Sequence, residues 1–299
     1  MNSLSEDLQK PKNRIQEFRE ITQRVLKYIP DVLDEEAEFS GYIICSSNIA
    51  GTRKSIRPFR NNLFLRNPKT FDNDFKRFES ILKQLKTGKR DFKEDDYDLV
   101  DGVIYTIQQS MGIGLDLMVQ SNSARKHVGN RFEELIRTLF DELGISLKKV
   151  VLRIPYETDE GEKYYRCETD VIISPFKKVR SDSKTIHPDE IVVSLKTTTK
   201  DRMPKIFIDK VLMERFVEHP VKVLGISQND IQRKEGDSET KISYTFVPNL
   251  FMVYTRFLAQ LEGYYYLDLP SKAFEKPFNR YIFPFSKLIL NDIWKMLRP

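Results

Sequence analysis

Arg166-Cys-Glu-Thr-Asp170-Val-Ile-Ile173 and Ile191-Val-Val-Ser194-Leu-Lys196 share one design, a charged residue at one end of a short β-branched run. In the first an aspartate opens the apolar run, and in the second a lysine closes it. Side chains alternate along a strand. Asp170 and Ile172 therefore fall on one face, and Val192, Ser194 and Lys196 on one face of the next strand. Paired side by side, the two strands would project a carboxylate and an ammonium together from a sheet interior. Charge in such a place is costly unless it is paired or bound to a metal. A plain Asp170–Lys196 ion pair and a reactive site both meet that requirement.

The neighbouring sequence supports a sheet. Residues 149–155, 166–174, 190–197 and 221–227 are short and β-branched-rich and read as strands. A helix beginning near Met203 and Pro204 lies between the last two, making a strand–helix–strand unit. A strand over 242–247, a helix near 249–261 and a strand over 264–269 follow. The N-terminal part reads as helical. Ile15, Phe18, Ile21, Val25 and Ile29 recur at helical spacing, as do Phe71, Phe75, Phe78, Leu82 and Leu85. Residues 97–118 read as a helix loosened by Gly112 and Gly114, and the helix carrying Phe132 to Leu143 stops at Gly144. The expected class is α/β: a mixed central β-sheet flanked by helices, with a helical N-terminal region over 1–120 and an α/β core over 121–299. The two are expected to pack as one compact unit, with Ser121 to Ser123 as the best boundary.

Composition narrows the possible roles. With 299 residues, 40% of them hydrophobic and only 12 glycines, the chain can bury a sizeable core, which excludes disordered and collagen-like classes. Two cysteines, Cys45 and Cys167, exclude a disulfide framework and a multi-thiolate zinc site. The first thirty residues contain no apolar leader core, and no run is long and apolar enough to span a bilayer, so a reducing cytoplasm is expected. His127, His187 and His219 are scattered and read as ordinary surface or loop residues.

The net charge of +5 is mild, but its distribution is uneven. Residues 39–71 contain no acid, while Arg53, Lys54, Arg57, Arg60, Arg66 and Lys69 bring six positive charges. Phe59, Phe64, Asn61 and Asn62 lie among them, and the segment has little periodicity. A basic loop with interleaved aromatics suits a nucleic acid, with cations on phosphates and rings against bases; a solvated charged loop is the plainer alternative.

Two helices offer further acids. At about 100° per residue, Glu133 lies at the edge of its helix's apolar arc, whereas Glu134 points to the solvent side. On the helix after Pro204, Asp209 falls in the sector of Ile206, Leu212, Met213 and Phe216, where a carboxylate needs a cation. Glu214 sits near Lys210 and reads as a surface pair. Carboxylates, a lysine and a basic surface together suit a phosphodiesterase that holds Mg²⁺ through oxygen ligands and needs no histidine.

On these residues the sequence resembles the PD-(D/E)XK restriction endonucleases, specifically the type II branch that cuts CCGG and CCNGG sites. The resemblance rests on Gly129-Asn-Arg-Phe-Glu133-Glu-Leu-Ile136, Thr169-Asp170, Ser194-Leu-Lys196-Thr-Thr-Thr-Lys200-Asp201-Arg202 and the stretch from Val103 to Gly114. It implies a restriction-endonuclease-like fold, with Asp170 as the metal-binding acid, Lys196 as the catalytic lysine and Glu133 as the helix-borne acid. In this branch the second acid moves to the following helix and leaves Ser in its old place. Ser194 and Asp209 fit that pattern, with Glu214 as a fallback for the displaced acid and Asp209 a departure from the usual Glu. Thr169 replaces the Pro of the family name. Lys200, Asp201 and Arg202 are implied readers of a G·C pair, Arg to guanine and acid to cytosine; ordinary helix-start chemistry, with Asp201 as N-cap, can coexist with that role. Where relatives extrude a central base pair, Arg57, Phe59 and Phe64 would supply the stacking surface, with Arg53, Lys54 and Arg60 on the DNA backbone.

The resulting expectation is a Mg²⁺-dependent endonuclease, with Mn²⁺ able to substitute, that cuts double-stranded DNA at a palindromic CCGG- or CCNGG-containing site. Cleavage 5′ of the CC would leave 5′-phosphates and 5′ overhangs. A homodimer is expected, with a tetramer as the alternative, and neither a membrane nor another protein as physical partner. A repair or junction-resolving nuclease of the same fold, or a non-catalytic DNA-binding protein, is the alternative.

Overall fold

The structure is a computed structural model that describes residues 3–49, 51–199, 202–234 and 241–298. Helices α1 (Leu4–Gln9) and α2 (Ile15–Tyr28) lead into four short strands: β1 (Asp34–Phe39), β2 (Tyr42–Ile49), β3 (Thr52–Ser55) and β4 (Phe59–Arg60). Three long helices follow, α3 (Pro68–Lys86), α4 (Glu94–Met118) and α5 (Ser121–Glu142). Next come β5 (Ser146–Lys148), β6 (Val151–Thr158), β7 (Gly161–Glu168), β8 (Val171–Ser174) and β9 (Ile191–Thr198). The remainder comprises α6 (Met203–Val217), β10 (Lys222–Asn229), β11 (Ile231–Lys234), β12 (Lys241–Tyr244), α7 (Pro248–Phe257), β13 (Gly263–Tyr266) and β14 (Ile282–Pro284), then short helical turns.

Among the described residues the central sheet has six strands in the order β14-β13-β10-β9-β8-β5. The first four run parallel, and β8 runs antiparallel to both of its neighbours, which makes the sheet mixed. Strand alternation divides its side chains between two cores. Val171, Ile173, Val193 and Leu195 join the helices α1 to α5 on one face, where Phe132, Leu135, Ile136 and Leu139 of α5 are buried. Ile172, Val192 and Val223 face Met203, Ile206, Phe207 and Met213 of α6 and Phe251 of α7 on the other. This is the α/β arrangement the sequence predicts.

Three local expectations change. The run over 166–174 is two strands: β7 pairs with β6 as far as Val151↔Glu168, and β8 then pairs with β9 and β5. The basic segment over 39–71 contains strands rather than one irregular loop: β2 pairs with β1, β3 and β4, and β1 itself has no counterpart among the expected strands. Phe59 and Phe64 are interior, 2% and 4% exposed, with ring centroids 4.7 Å apart, so neither ring has a face open to a base. Nor do Gly112 and Gly114 loosen α4, which is continuous. A Cβ on Gly112 would lie 2.5 Å from the Arg57 guanidinium, and one on Gly114 2.8 Å from Leu8, so both glycines make room for packed neighbours.

A buried polar network fastens the N-terminal strands and α4 to one end of the central sheet. The Tyr42 hydroxyl donates to Asp268 Oδ2 at 2.9 Å, and Arg60 pairs with the same carboxylate while its guanidinium lies over the Tyr42 ring. Gln228 on β10 donates to Gln109 Oε1 at 2.6 Å and accepts from Gln108 at 3.2 Å; Gln109 in turn donates to the Pro58 carbonyl at 2.7 Å. Burial pushes the Asp268 carboxyl up to about 6, against the pull of Arg60. Apart from the Gln108 Oε1, which finds no partner among the described residues, these buried polar groups are tolerable because they are paired.

Gly225, in the middle of β10, pairs with Ser194 on one side and Tyr264 on the other. A Cβ there would stand 2.8 Å from the fully buried Tyr264 ring, whose hydroxyl is held by Ser227. Gly225→Ala is expected to cost about 1–3 kcal/mol of stability through overpacking, read as a lower urea midpoint at unchanged slope.

Candidate active site

The site forms where the chain leaves one sheet for another. Thr169 closes β7 by exchanging backbone and hydroxyl hydrogen bonds with Val150, its Oγ1 donating to the Val150 carbonyl at 2.8 Å and accepting from the Val150 amide at 3.1 Å. The chain then turns at Asp170 into β8. The β8–β9 ladder ends at Val171↔Val193, and the Asp170 side chain continues the attachment beyond it. Its Oδ2 accepts from the Leu195 amide and from Lys196 Nζ, each at 2.7 Å, with the Ser194 hydroxyl at 3.4 Å. Asp170 and Lys196 retain about a fifth of their side-chain exposure, so the pair opens to solvent rather than being sealed in the core.

Asp170, Ser194 and Lys196 line a cavity of about 310 Å³ together with Tyr165, Cys167, Lys205 and Asp209. Asp209 reaches it from the second turn of α6. The cation its apolar sector demands is Lys205, one turn earlier, whose Nζ donates to both carboxylate oxygens at 2.6 Å. Burial and the Asp209 charge push the Cys167 thiol up to about 11, which removes it as a nucleophile near neutral pH.

Glu133 approaches from the opposite face of the sheet, on α5. Burial first, and then the Asp170 charge, raise its carboxyl above the usual carboxylate range, while Lys149, Arg137 and Lys196 pull the other way. It does not line the cavity but stands behind Asp170. Glu134, expected at the solvent side, is instead tied to the buried Arg131 and accepts the Lys12 amide at 2.8 Å, because the segment after α1 covers that face of α5. Glu214 is held by Lys210 and by the Val221 amide, away from the cavity.

The other sequence candidates are spread more widely. Lys200 and Asp201 lie outside the described residues. Arg202 is exposed at the N-cap of α6, with no side-chain cap bond, so the cap falls one residue later than expected. Lys54 donates to the Leu117 carbonyl, Arg57 grips Asp116 through two bonds of 2.8 Å, and Arg60 is committed to Asp268. Arg53 stands exposed on β3. The hairpin of β6 and β7, which brings Tyr165 and Arg166 to the cavity, is not legible from the sequence as part of the site.

Asp170 and Asp209 present hard oxygen donors to one cavity. Among the described residues no three acids, histidines or cysteines converge to cage an ion. That donor set fits Mg²⁺, which takes one or two carboxylates and completes its shell with water or phosphate oxygens. Such an ion would displace the two lysines from the carboxylates they now hold.

The burial of Glu133, and after it the nearby Asp170 charge, has a cost that depends on pH. A carboxyl whose folded-state pKa is raised loses stabilisation as pH rises through that pKa. Glu133→Gln is therefore expected to stabilise the protein at pH 8, with the gain fading in acid. Urea unfolding at pH 8 and pH 4 measures both ends of that range.

No protein-family model and no curated protein match this sequence. Among solved structures, the type IIP restriction endonuclease Kpn2I matches with a TM-score of 0.69 at 17% identity, over 95% of this chain and 91% of that one. The restriction endonuclease PspGI, in complex with substrate DNA, matches at 11% identity and a TM-score of 0.42, over 77% of this chain and 92% of that one. The chain thus has a restriction-endonuclease-like fold, with the carboxylate–lysine cavity at one end of its central sheet.

Proposed function

We propose that this protein is a divalent-metal-dependent endonuclease that cuts double-stranded DNA at a specific C/G-rich palindrome. The observation that carries this reading is the pairing of Asp170 with Lys196 on adjacent strands, opening into a cavity that Asp209 also lines. The shared fold with a restriction endonuclease supports it, and so does the resemblance of the residues around Glu133, Asp170, Lys196 and Arg202.

Mg²⁺, or Mn²⁺ in its place, held by Asp170 and Asp209, would polarise the scissile phosphate and lower the pKa of an attacking water. Lys196, once released from Asp170, orients that water or offsets charge gathering on the phosphoryl oxygens. Glu133, whose carboxyl burial and then the Asp170 charge raise above the usual carboxylate range, stands behind Asp170 as the helix-borne acid. Arg202, exposed at the tip of α6, pairs bidentately with guanine O6 and N7, and Lys200 and Asp201 complete the reader. A two-fold site calls for a two-fold protein, so a homodimer cuts one strand with each subunit. The proposed site contains CCGG or CCNGG, cut 5′ of the CC to leave 5′ overhangs.

Digestion of a plasmid of known sequence with Mg²⁺, followed by sequencing of the ends, tests the reading. A single short palindrome at every end is expected; cuts set by DNA shape favour a junction or repair nuclease, and no cuts at all a binding protein. Lys196→Ala should abolish cleavage by several orders of magnitude while specific binding survives in a mobility-shift assay. Arg202→Ala should lose about 1–3 kcal/mol of discrimination at one base pair, read as relaxed site selectivity.

A further inference from the structure

The hairpin of β6 and β7 is paired outside the central sheet and runs into the catalytic cavity. Its register sets Arg153 directly opposite Arg166, both exposed. Like charges facing each other across a strand pair are destabilising, and neither arginine forms an ion pair among the described residues. The nearby Glu168 is engaged by Lys149. The two arginines line a surface hollow of about 350 Å³ with Tyr164, Val151 and Ser183, and the Arg153 amide donates to the Ser183 carbonyl at 2.8 Å, which fixes the hairpin root. Arg166 lines the catalytic cavity as well.

We infer that this arginine pair at the hairpin root is a clamp for DNA backbone phosphates flanking the cut. The inference rests on the nuclease reading above. A phosphate between two arginines relieves their repulsion and takes up bidentate donors from both. The spacing along the chain is short enough for such a role. Arg166 precedes Asp170 by four residues, at most about 14 Å of chain. DNA advances about 3.4 Å per nucleotide along one strand, so the clamp lies within a few steps of the scissile position. The far end of the hairpin sets the limit of the contact. Glu157, Asp159, Glu160 and Glu162 cluster there, and their charge turns the tip away from the duplex.

The test compares wild type with R153A/R166A by fluorescence anisotropy on duplex DNA across a salt series, in EDTA so that no strand is cut. Each neutralised phosphate contributes about 0.9 to the slope of log Kobs against log salt, so the double variant, which loses the one phosphate the two arginines share, should be shallower by roughly 0.9. Its affinity should fall by the same factor on every sequence, because phosphate contacts carry no base information. R153K/R166K, which keeps the charge, should retain most of the slope, and neither variant should melt below wild type. An unchanged slope in R153A/R166A overturns the clamp while leaving the nuclease reading intact. A wild type that fails to bind duplex DNA at all overturns both.

Discussion

The site depends on one carboxylate oxygen. Asp170 Oδ2 takes the Leu195 amide and the Lys196 ammonium at equal distances, so the same atom fastens β8 to β9 and fixes the lysine. The geometry behind this is a change of partner. β7 is committed to the outer hairpin and β8 to the central sheet, and Thr169 holds the corner between them through Val150. A proline there could shape the corner but has no hydroxyl to donate, so threonine stabilises the turn by another route. The charged pair is tolerated because it lies at the solvent-open end of the sheet, where water offsets part of the desolvation cost.

The N-terminal half packs its described helices directly on the central sheet. Its helices share a continuous core with the central sheet, and Tyr42, Arg60 and Asp268 lock the small N-terminal sheet against the segment after β13. Much of the positive charge between residues 39 and 71 is consumed by these internal ties. Lys54, Arg57 and Arg60 all have partners within the chain, which an uncounterbalanced run of charge in the sequence does not reveal.

Helices and buried strands are legible in the sequence because period and burial coincide. The stripe from Phe71 to Leu85 is buried along α3, and β9 and β10 lie where β-branched residues cluster. Asp209 stands out as a carboxylate in an apolar sector, and its compensating cation is Lys205, on its own helix. What escapes the sequence is set by tertiary partners. Glu134 reads as solvent-facing until the chain after α1 covers it, and the break at Asp170 is invisible in a run whose residues favour strand. The strands between residues 34 and 60 pair with one another, but the side chains that cover them come from distant parts of the fold, as when Ile231 and Ile242 pack on Tyr42 and Ile44.

The tip of the β6–β7 hairpin has a practical consequence. Thr158 bonds to Gly161 across the turn, Lys163 pairs with Glu160, and Gly161 takes the left-handed backbone that the tight reversal requires. These ties are local, and the tip stands at the opposite end of the β6–β7 ladder from the corner at Thr169. It offers an attachment point for a dye or a short inserted peptide at a distance from the cavity that the hairpin's other end lines.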